Sequence, residues 1–536
     1  MNKLLLLFLL GVCAIVFSLD FVSPYLGKMQ FTGALFWLIS QLVLLSYGAY
    51  SVLWLINEAF NKRSRLLLLV LASYLLATVF YTNNIVSLQH ETTQQIGCMM
   101  HGFAESDWLF RKNCFIGYPA RQYLLPALLS VVFGRSLITL QFGGLLYFFI
   151  GMTIFVKGVA MFLKKNNALS VIGAITIGVL PFFYFVNQRV FYAEQSNYPF
   201  SYALIICGLF FIYFLRKGWI ELFVISIALL HTVYIYTPGL ALSALATLVS
   251  IHLLYQKNIS NKQKLWIVLT MIVVYAQFAL SLQFRGDIRI IPDTTARSQL
   301  NNDLYRSFGN LLHPLGNQAF VSPIFADAFV VLIGYFLLGF AGFELSVVTF
   351  WILGSMVIAI MTKGYYLNSI DYRIQRWIVV VPIFLSLFMT YLVSIRSRKY
   401  MNFAMYVLLC FFLIMGFRFQ MDQYNSMVRS EPNAITFWLW RMVPKSFRNE
   451  THTIVVDQNL QEYIGSMGDA SMYFFPNAHV NIVNVSCNFP VPNIKRTILI
   501  IPYSPYNHCH LEHSTGSYIY EGSNATLKPI VQIYLY

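Results

Sequence analysis

The sequence predicts a polytopic α-helical membrane protein with a small α/β domain at its C-terminal end. Hydrophobic residues make up 58% of the 536 positions and charged residues only 11%, a balance far outside that of soluble globular proteins. Apolar runs of about 20 residues, the length that crosses a bilayer, recur along most of the chain. The hydrophobic character drops sharply after about residue 418, which separates a membrane part from a more polar tail.

About 13 transmembrane helices are expected, because each apolar run is long enough to cross the hydrocarbon core. The predicted spans are 3–19, 31–56, 64–83, 137–162, 168–187, 199–215, 219–236, 238–255, 264–283, 324–342, 345–362, 377–394 and 400–418. They divide the chain into two N-terminal helices (1–63), a transmembrane core (64–418) and a C-terminal domain (419–536). A cleaved signal peptide over Met1–Ser18 is the alternative to an uncleaved first span.

The net charge of +15 indicates membrane sidedness rather than nucleic-acid binding, because the basic residues fall in short loops between spans. These residues are Lys62, Arg63, Arg65, Lys164, Lys165, Arg216, Lys217, Lys257, Lys262, Lys264, Arg396, Arg398 and Lys399. The positive-inside rule places their loops in the cytoplasm. The N-terminus is then cytoplasmic, and the loop 84–136 and the C-terminal domain lie on the outer side.

The location predicted is a bacterial inner membrane, with the C-terminal domain in the periplasm. Sequons at Asn449, Asn484 and Asn524 would also fit an endoplasmic reticulum lumen, which stays open as the alternative.

The first outer loop, residues 84–136, is the most informative part of the chain. It carries Glu91, Glu105 and Asp107, then Gly117-Tyr118-Pro119 and Phe133-Gly134-Arg135-Ser136. Residues 91–103 could form a short helix in the membrane interface. The apolar segment 121–133 is too short to span the bilayer, so it is expected to lie as a helix in the membrane surface.

Glu91 follows closely on the outer end of the third predicted span. A carboxylate held at the outer membrane surface can act as a general base and take a proton from an acceptor hydroxyl. A solvated acid at a helix start, favoured there by the helix dipole, is the plainer interpretation.

The order of these elements resembles the first module of the GT-C glycosyltransferase superfamily. The shared order is a span, an acid after its outer end, a helix, a Tyr-Pro element, a surface helix ending in Phe-Gly-x-Ser, and a long span. The resemblance runs from Arg65 to about Lys165, and more loosely from Tyr372 to Pro382. It implies a membrane enzyme that takes a sugar from a polyprenyl-phosphate carrier on the outer face. The overall plan is similar to bacterial serotype-converting enzymes that glucosylate lipid-linked O-antigen, a precursor of lipopolysaccharide. Aminoarabinose transfer to lipid A and sugar transfer to protein stay open as alternatives.

The resemblance also implies roles for individual residues. The acid after the first core span, Glu91, would be or support the catalytic base, with Asp107 and Glu105 ranked next. Glu194, in the following outer loop, could orient an acceptor or a divalent metal, and no other cofactor is expected. Arginines at the ends of spans would hold the carrier phosphate through paired hydrogen bonds and charge. These candidates are Arg373, Arg376, Arg189, Arg121 and Arg285, with Arg289 as the alternative to Arg285.

The C-terminal domain shows short β-rich runs separated by turns that contain Pro and Asn. The predicted strands are Thr453–Val456, Met472–Phe475, Val480–Val485, Thr497–Ile501 and Ile530–Leu535. No nucleotide-binding or nucleophile motif is present, so an accessory or acceptor-binding role is expected. His231 falls within a span and is expected to hydrogen-bond inside the helix bundle.

Two other functions stay open. A transporter or flippase for a lipid-linked glycan would place its polar residues inside the spans, whereas here the acids concentrate in outer loops. A noncatalytic assembly factor is the third class. The expected partners are the sugar carrier, the glycan acceptor and membrane lipids, without nucleic acid. Cys98 with Cys114, and Cys487 with Cys509, could form disulfides on the outer side.

Overall fold

A computed structural model of the chain describes a bundle of membrane-type helices and a C-terminal β-sheet. The described residues are 30–61, 96–97, 100, 123–165, 197–233, 235, 238–284, 443–460, 473–475, 477–486, 496–502, 516–520 and 531–536.

Seven of the described helices belong to the membrane part. They are α1 (Gln30–Asn61), α2 (Leu124–Phe133), α3 (Leu137–Lys165), α4 (Asn197–Arg216), α5 (Trp219–Thr232), α6 (Pro238–Tyr255) and α7 (Asn261–Phe284). Six of them coincide with predicted spans, and α2 is the predicted surface helix. The span predicted at 219–236 is shorter, because α5 ends at Thr232 and Pro238 opens the next helix, as proline favours. The other seven predicted spans lie outside the described residues, so the total of about 13 stays a prediction.

One described helix is long and apolar enough to cross a bilayer by itself, over Leu38–Asn57 of α1. The described part also presents apolar surface. On α7, the residues Leu265, Val268, Leu269, Ile272 and Tyr275 are all exposed. Their spacing of three and four positions forms one continuous stripe along the helix. An exposed apolar stripe of this kind fits contact with lipid better than contact with water.

The helices α3 and α4 pack closely and run parallel. A Cβ added at Gly151 would lie 2.7 Å from the carbonyl oxygen of Ser201, and one added at Gly158 would lie 2.6 Å from that of Gly208. The two contacts are seven residues apart on each helix. This is the heptad spacing of helices that pack as a left-handed coiled coil. Small residues at such an interface let two backbones approach closely.

Because α3 and α4 are parallel, the chain must return between them. At about 1.5 Å per residue, the end of α3 and the start of α4 lie about 27 Å apart along the axis, close to the thickness of a bilayer core. The connecting residues 166–196, with the predicted span 168–187, lie outside the described part.

The basic turns of the described helices lie together at one end of the bundle. Lys217 follows α4 with φ of 51°, a left-handed conformation that ends helices. Its carbonyl oxygen accepts a hydrogen bond from Gln263 Nε2 at the start of α7, over 2.7 Å. The Lys217 turn therefore lies against the α6–α7 turn, which carries Lys257 and Lys262. This arrangement is the one required by the predicted cytoplasmic loops.

The C-terminal residues form a short helix, α8 (Lys445–Glu450), and a five-stranded sheet. Its strands are β1 (Thr453–Asp457), β2 (His479–Val483), β3 (Thr497–Pro502), β4 (Gly516–Tyr520) and β5 (Val531–Leu535). The sheet has the order β2-β1-β3-β5-β4, with β1 parallel to β2 and β3, and β5 antiparallel to β3 and β4. A buried cluster on this sheet contains Val455, Leu499, Ile501 and Tyr534.

Two details of the sheet differ from the sequence prediction. Residues 473–474 are helical rather than extended, and β4 was not predicted. The three aromatic residues Tyr473, Phe474 and Phe475 favour a strand by propensity. All three are buried, and the contacts of Tyr473 described below override the local preference.

Candidate functional site

The sequence Phe133-Gly134-Arg135-Ser136 forms the joint between α2 and α3. Gly134 ends α2 with φ 86° and ψ 157°, a conformation that is open to glycine and strained for other residues. Ser136 begins α3 as its N-cap, because its Oγ accepts a hydrogen bond from the Thr139 N–H over 3.1 Å. Thr139 Oγ1 donates to the Gly134 carbonyl over 3.0 Å. The motif therefore ends one helix and begins the next within three residues. We call residues 134–136 the α2–α3 joint.

Tyr473, from the C-terminal sheet region, contacts this joint with its hydroxyl group. The hydroxyl donates to the Ser136 carbonyl oxygen over 3.0 Å and accepts from the Ser136 N–H over 3.1 Å. Ser130 Oγ, on α2, lies 2.9 Å from the same oxygen. Burial raises the pKa of Tyr473 to about 12, so the phenol stays neutral at physiological pH. Tyr473 and the end of the predicted outer loop, residues 134–136, therefore meet at one end of the described bundle, opposite the basic turns.

Arg135 lies in the joint next to Tyr473. Burial lowers the pKa of its guanidinium, and the neighbouring Tyr473 partly offsets that effect. An arginine nonetheless keeps its charge at neutral pH. The joint thus holds a positive charge, and one buried donor of the Arg135 guanidinium, Nη1, makes no hydrogen bond to the described residues.

A row of buried tyrosines leads from α2 into the bundle. Ring centroids are separated by 5.5 Å between Tyr123 and Tyr198, 5.5 Å between Tyr198 and Tyr147, and 5.8 Å between Tyr147 and Tyr202. Tyr202 in turn lies 5.7 Å from the ring of His231. We call these four tyrosines the tyrosine column. Its first member is the residue that precedes α2, so the column connects the start of α2 to the interior of the described bundle.

His231 closes the inner end of the tyrosine column. Its Nε2 lies 2.6 Å from Ser40 Oγ, and its Nδ1 lies 2.7 Å from the Tyr202 hydroxyl. The prediction that His231 hydrogen-bonds within the bundle is confirmed. The hydroxyl groups of Tyr198 and Ser201 are also buried, and neither has a hydrogen-bond partner among the described residues. The described interior next to the column therefore contains buried polar groups.

A second polar cluster lies toward the basic end of the bundle, around the fully buried Lys157 of α3. Its Nζ lies 4.0 Å from the ring centroid of Tyr50 and 4.8 Å from that of Tyr47, which are cation–π distances. It also donates to Ser51 Oγ over 3.3 Å. Close by, the carboxylate of Glu221 accepts from the Tyr47 hydroxyl over 3.4 Å.

Arg216 lies at the edge of this cluster. It is 3.9 Å from the Glu221 carboxylate and donates to the Tyr50 hydroxyl over 3.5 Å. Ionisable residues within spans are costly and commonly functional. This cluster and the α2–α3 joint occupy opposite ends of α3.

The residues ranked from the sequence lie outside the described part of the chain. This holds for the acids Glu91, Asp107, Glu105 and Glu194, and for the arginines Arg373, Arg376, Arg189, Arg121, Arg285 and Arg289. Their roles stay predictions. In the interface helix predicted at 91–103, residues 96–97 and 100 are helical, and Ile96 and Met100 are buried. Within the described ranges, no three His, Cys, Asp or Glu side chains are grouped closely enough to hold a metal.

Arg135, Tyr473 and the tyrosine column are not predicted from the sequence as residues of this region. Arg135 had a signal, since it is a charged residue inside a motif that was already singled out. The tyrosines had none, because tyrosine is common in this chain, with 34 copies. Of the cysteines, Cys207 is buried in α4 as a free thiol, and the two proposed disulfide pairs lie outside the described residues.

Replacing Gly134 with alanine should lower the free energy of unfolding by about 1–3 kcal/mol, because a Cβ is strained at this φ and ψ. The midpoint of thermal unfolding in detergent micelles measures the effect. Val132→Ala is the control, since Val132 is 72% exposed on the same helix and should change stability by less than about 0.5 kcal/mol. Equal midpoints for Gly134→Ala and the wild type would show that the joint does not need glycine.

No protein-family model matches the chain, and no curated protein does either. Among solved structures, the chain is similar to the archaeal oligosaccharyltransferase AglB from Archaeoglobus fulgidus, in complex with an inhibitory peptide and a dolichol-phosphate. The TM-score is 0.39 and the sequence identity 11%. The match covers 76% of this chain and 64% of that protein, so it spans less than two thirds of the archaeal structure's length.

Proposed function

We propose that this protein is an inverting membrane glycosyltransferase of the GT-C kind. It would move a sugar, with glucose favoured, from a polyprenyl-phosphate carrier to a glycan acceptor such as lipid-linked O-antigen. The reaction would take place on the outer face of a bacterial inner membrane, with the C-terminal domain in the periplasm.

The observation that carries this proposal is the α2–α3 joint. The motif that supports the resemblance, Phe133-Gly134-Arg135-Ser136, links a short apolar helix to a long helix, as the family's order of elements requires. The joint also touches Tyr473, so the first outer loop and the C-terminal region share one side of the bundle. A reaction that brings together a carrier in the membrane and an acceptor outside it needs such a meeting point.

The proposed reaction transfers one proton and releases one leaving group, the carrier phosphate. Glu91 takes the proton of an acceptor hydroxyl, and the oxygen of that hydroxyl attacks the anomeric carbon of the sugar. The bond between that carbon and the carrier phosphate breaks, and the carrier leaves with an additional negative charge. Arginines stabilise this growing charge. Arg135 joins Arg373, Arg376, Arg189, Arg121 and Arg285 as a candidate, because it holds a buried donor at the joint.

A transfer assay in membranes tests this function. Vesicles that contain the protein, a radiolabelled polyprenyl-phosphate sugar and a lipid-linked glycan should yield labelled acceptor, with glucose as the best donor. Vesicles from cells that lack the protein provide the background. No transfer from any polyprenyl-phosphate sugar tested, including aminoarabinose and mannose, would overturn the proposal.

A transporter or flippase for a lipid-linked glycan is the second candidate, favoured by the buried Lys157, Glu221 and His231 inside the helices. Transporters place such residues along their substrate path. In proteoliposomes, a flippase would move a fluorescent lipid-linked glycan to the opposite leaflet without forming a new glycosidic bond. Bond formation without net movement of the carrier favours the transferase.

A further inference from the structure

Tyr473 completes the N-terminal cap of α3 from a distant part of the chain. The N–H of an N-cap residue has no partner inside its own helix. In a capping box, a Glu or Gln at the third helical position accepts this N–H. In α3 that position is Thr139, whose hydroxyl donates to the Gly134 carbonyl instead. The Ser136 N–H is bound by the Tyr473 hydroxyl, which lies 337 positions further along the chain.

The hydroxyl of Tyr473 uses its full hydrogen-bonding capacity in this contact. A tyrosine hydroxyl has one proton to donate and lone pairs that accept. Its proton goes to the Ser136 carbonyl oxygen, and its oxygen accepts from the Ser136 N–H. Ser130 Oγ lies 2.9 Å from the phenol oxygen and 2.8 Å from the Pro126 carbonyl oxygen, so its single proton is shared between these two acceptors. Ser130 and Ser136 stand on either side of Gly134. The Tyr473 hydroxyl therefore contacts both the end of α2 and the start of α3.

Burial alone does not explain a tyrosine at this position. The neighbouring Phe474 and Phe475 are also buried, and the ring of Phe474 packs edge-on against that of Tyr473 at 5.0 Å. A phenylalanine at 473 would bury the same apolar ring. Among the described residues, the hydroxyl adds the contacts to Ser130 and Ser136 and lies beside Arg135, so its contribution is to the joint.

We infer that Tyr473 is a positioning residue of the proposed transferase: by completing the α3 cap it fixes the end of the outer loop 84–136 and the placement of Arg135. This inference rests on the proposed function. It makes the C-terminal region part of the donor side of the site, in addition to its expected role with the acceptor. Because the phenol is neutral at physiological pH, this contact does not change with pH in that range.

Tyr473→Phe tests the inference, because it removes the hydroxyl and keeps the ring. Tyr534→Phe is the matched control, a buried tyrosine in the core of the same sheet. Two measurements are made on full-length protein in nanodiscs. Hydrogen–deuterium exchange reports the opening of the joint, and steady-state transfer reports kcat and the KM for the carrier.

Tyr473→Phe should accelerate amide exchange over residues 134–139 by about tenfold or more, since the Ser136 N–H loses its partner. The kcat should fall by about tenfold, because Arg135 would no longer be held in place. An interaction of Arg135 with the phosphate charge that grows during the reaction affects mainly kcat. The KM for the carrier should stay within about twofold of the wild-type value. Tyr534→Phe should leave both the exchange over 134–139 and the kcat unchanged.

The outcomes separate this inference from the proposed function. Unchanged exchange in Tyr473→Phe overturns the capping contact, and faster exchange with an unchanged kcat overturns the positioning role. An equal loss of kcat in Tyr534→Phe would show a general effect of the sheet and would also overturn it. Wild-type protein that transfers no sugar overturns the proposed function, and the positioning role with it.

Discussion

Replacing Glu91 with glutamine should reduce sugar transfer by about 10²- to 10⁴-fold, the contribution typical of a positioned general base. Glutamine has nearly the same shape as glutamate but cannot accept the proton of the acceptor hydroxyl. If Glu91 is the base, as proposed, the protein should still insert and fold, and carrier binding should change little, because a general base acts on the acceptor hydroxyl rather than on the carrier phosphate. The loss should therefore appear in kcat rather than in KM.

The control variants for Glu91→Gln are the two other acids of the same loop. Asp107→Asn and Glu105→Gln make the same chemical change at Asp107 and Glu105. They should retain most of the transfer activity if Glu91 is the base. Full activity in Glu91→Gln would contradict the assignment of Glu91 as the general base. A large loss of activity in Asp107→Asn alone would identify Asp107 as the base instead. Protein amount in the membrane, measured by immunoblot, normalises every rate.

The sequence predicts the described helices well because each is a local pattern. An apolar run of the right length defines α3, α4 and α6 to within a few residues, and Gly134 and Ser136 mark the joint through their own backbone preferences. The segment 121–133 is predicted to be a helix too short to span the bilayer, and α2 is 10 residues long; its position in the membrane surface stays a prediction. These features depend on residues that are close together along the chain.

The contacts that build the candidate site are not local. Tyr473 meets Ser136 across 337 positions, and nothing in the pattern around either residue indicates the other. The same long-range contact turns residues 473–474 into a helical turn, where their aromatic character favoured a strand. Lys157 was part of an apolar run, and its cation–π partners lie on α1. Packing of this kind joins residues that are far apart along the chain, whereas the predicted roles of Glu91, Glu105 and Asp107 depend on their positions in the sequence alone.

Replacing Gly208 with leucine should prevent the close packing of α3 and α4 and lower the free energy of unfolding by about 3 kcal/mol or more, the upper range for overpacked interiors. A Cβ at this position would lie 2.6 Å from both the backbone N and the Cα of Phe155, and 2.7 Å from the carbonyl carbon of Ile154. These are backbone atoms of α3, so they cannot move aside as the end of a flexible side chain could. The two helices would have to separate.

Separation of α3 and α4 would also break the candidate site, because the tyrosine column spans both helices. Tyr147 lies on α3, and its ring centroid is within 6 Å of those of Tyr198 and Tyr202 on α4. Gly208→Leu should therefore lower both the thermal midpoint in detergent and the amount of monodisperse protein. Gly208→Ala adds only the Cβ and should have a smaller effect of the same sign. Ala49→Leu makes a similar increase in size at an exposed position of α1 and should leave the midpoint unchanged. A Gly208→Leu protein as stable as Ala49→Leu would contradict the parallel α3–α4 contact, and with it the requirement that the chain cross back between these helices.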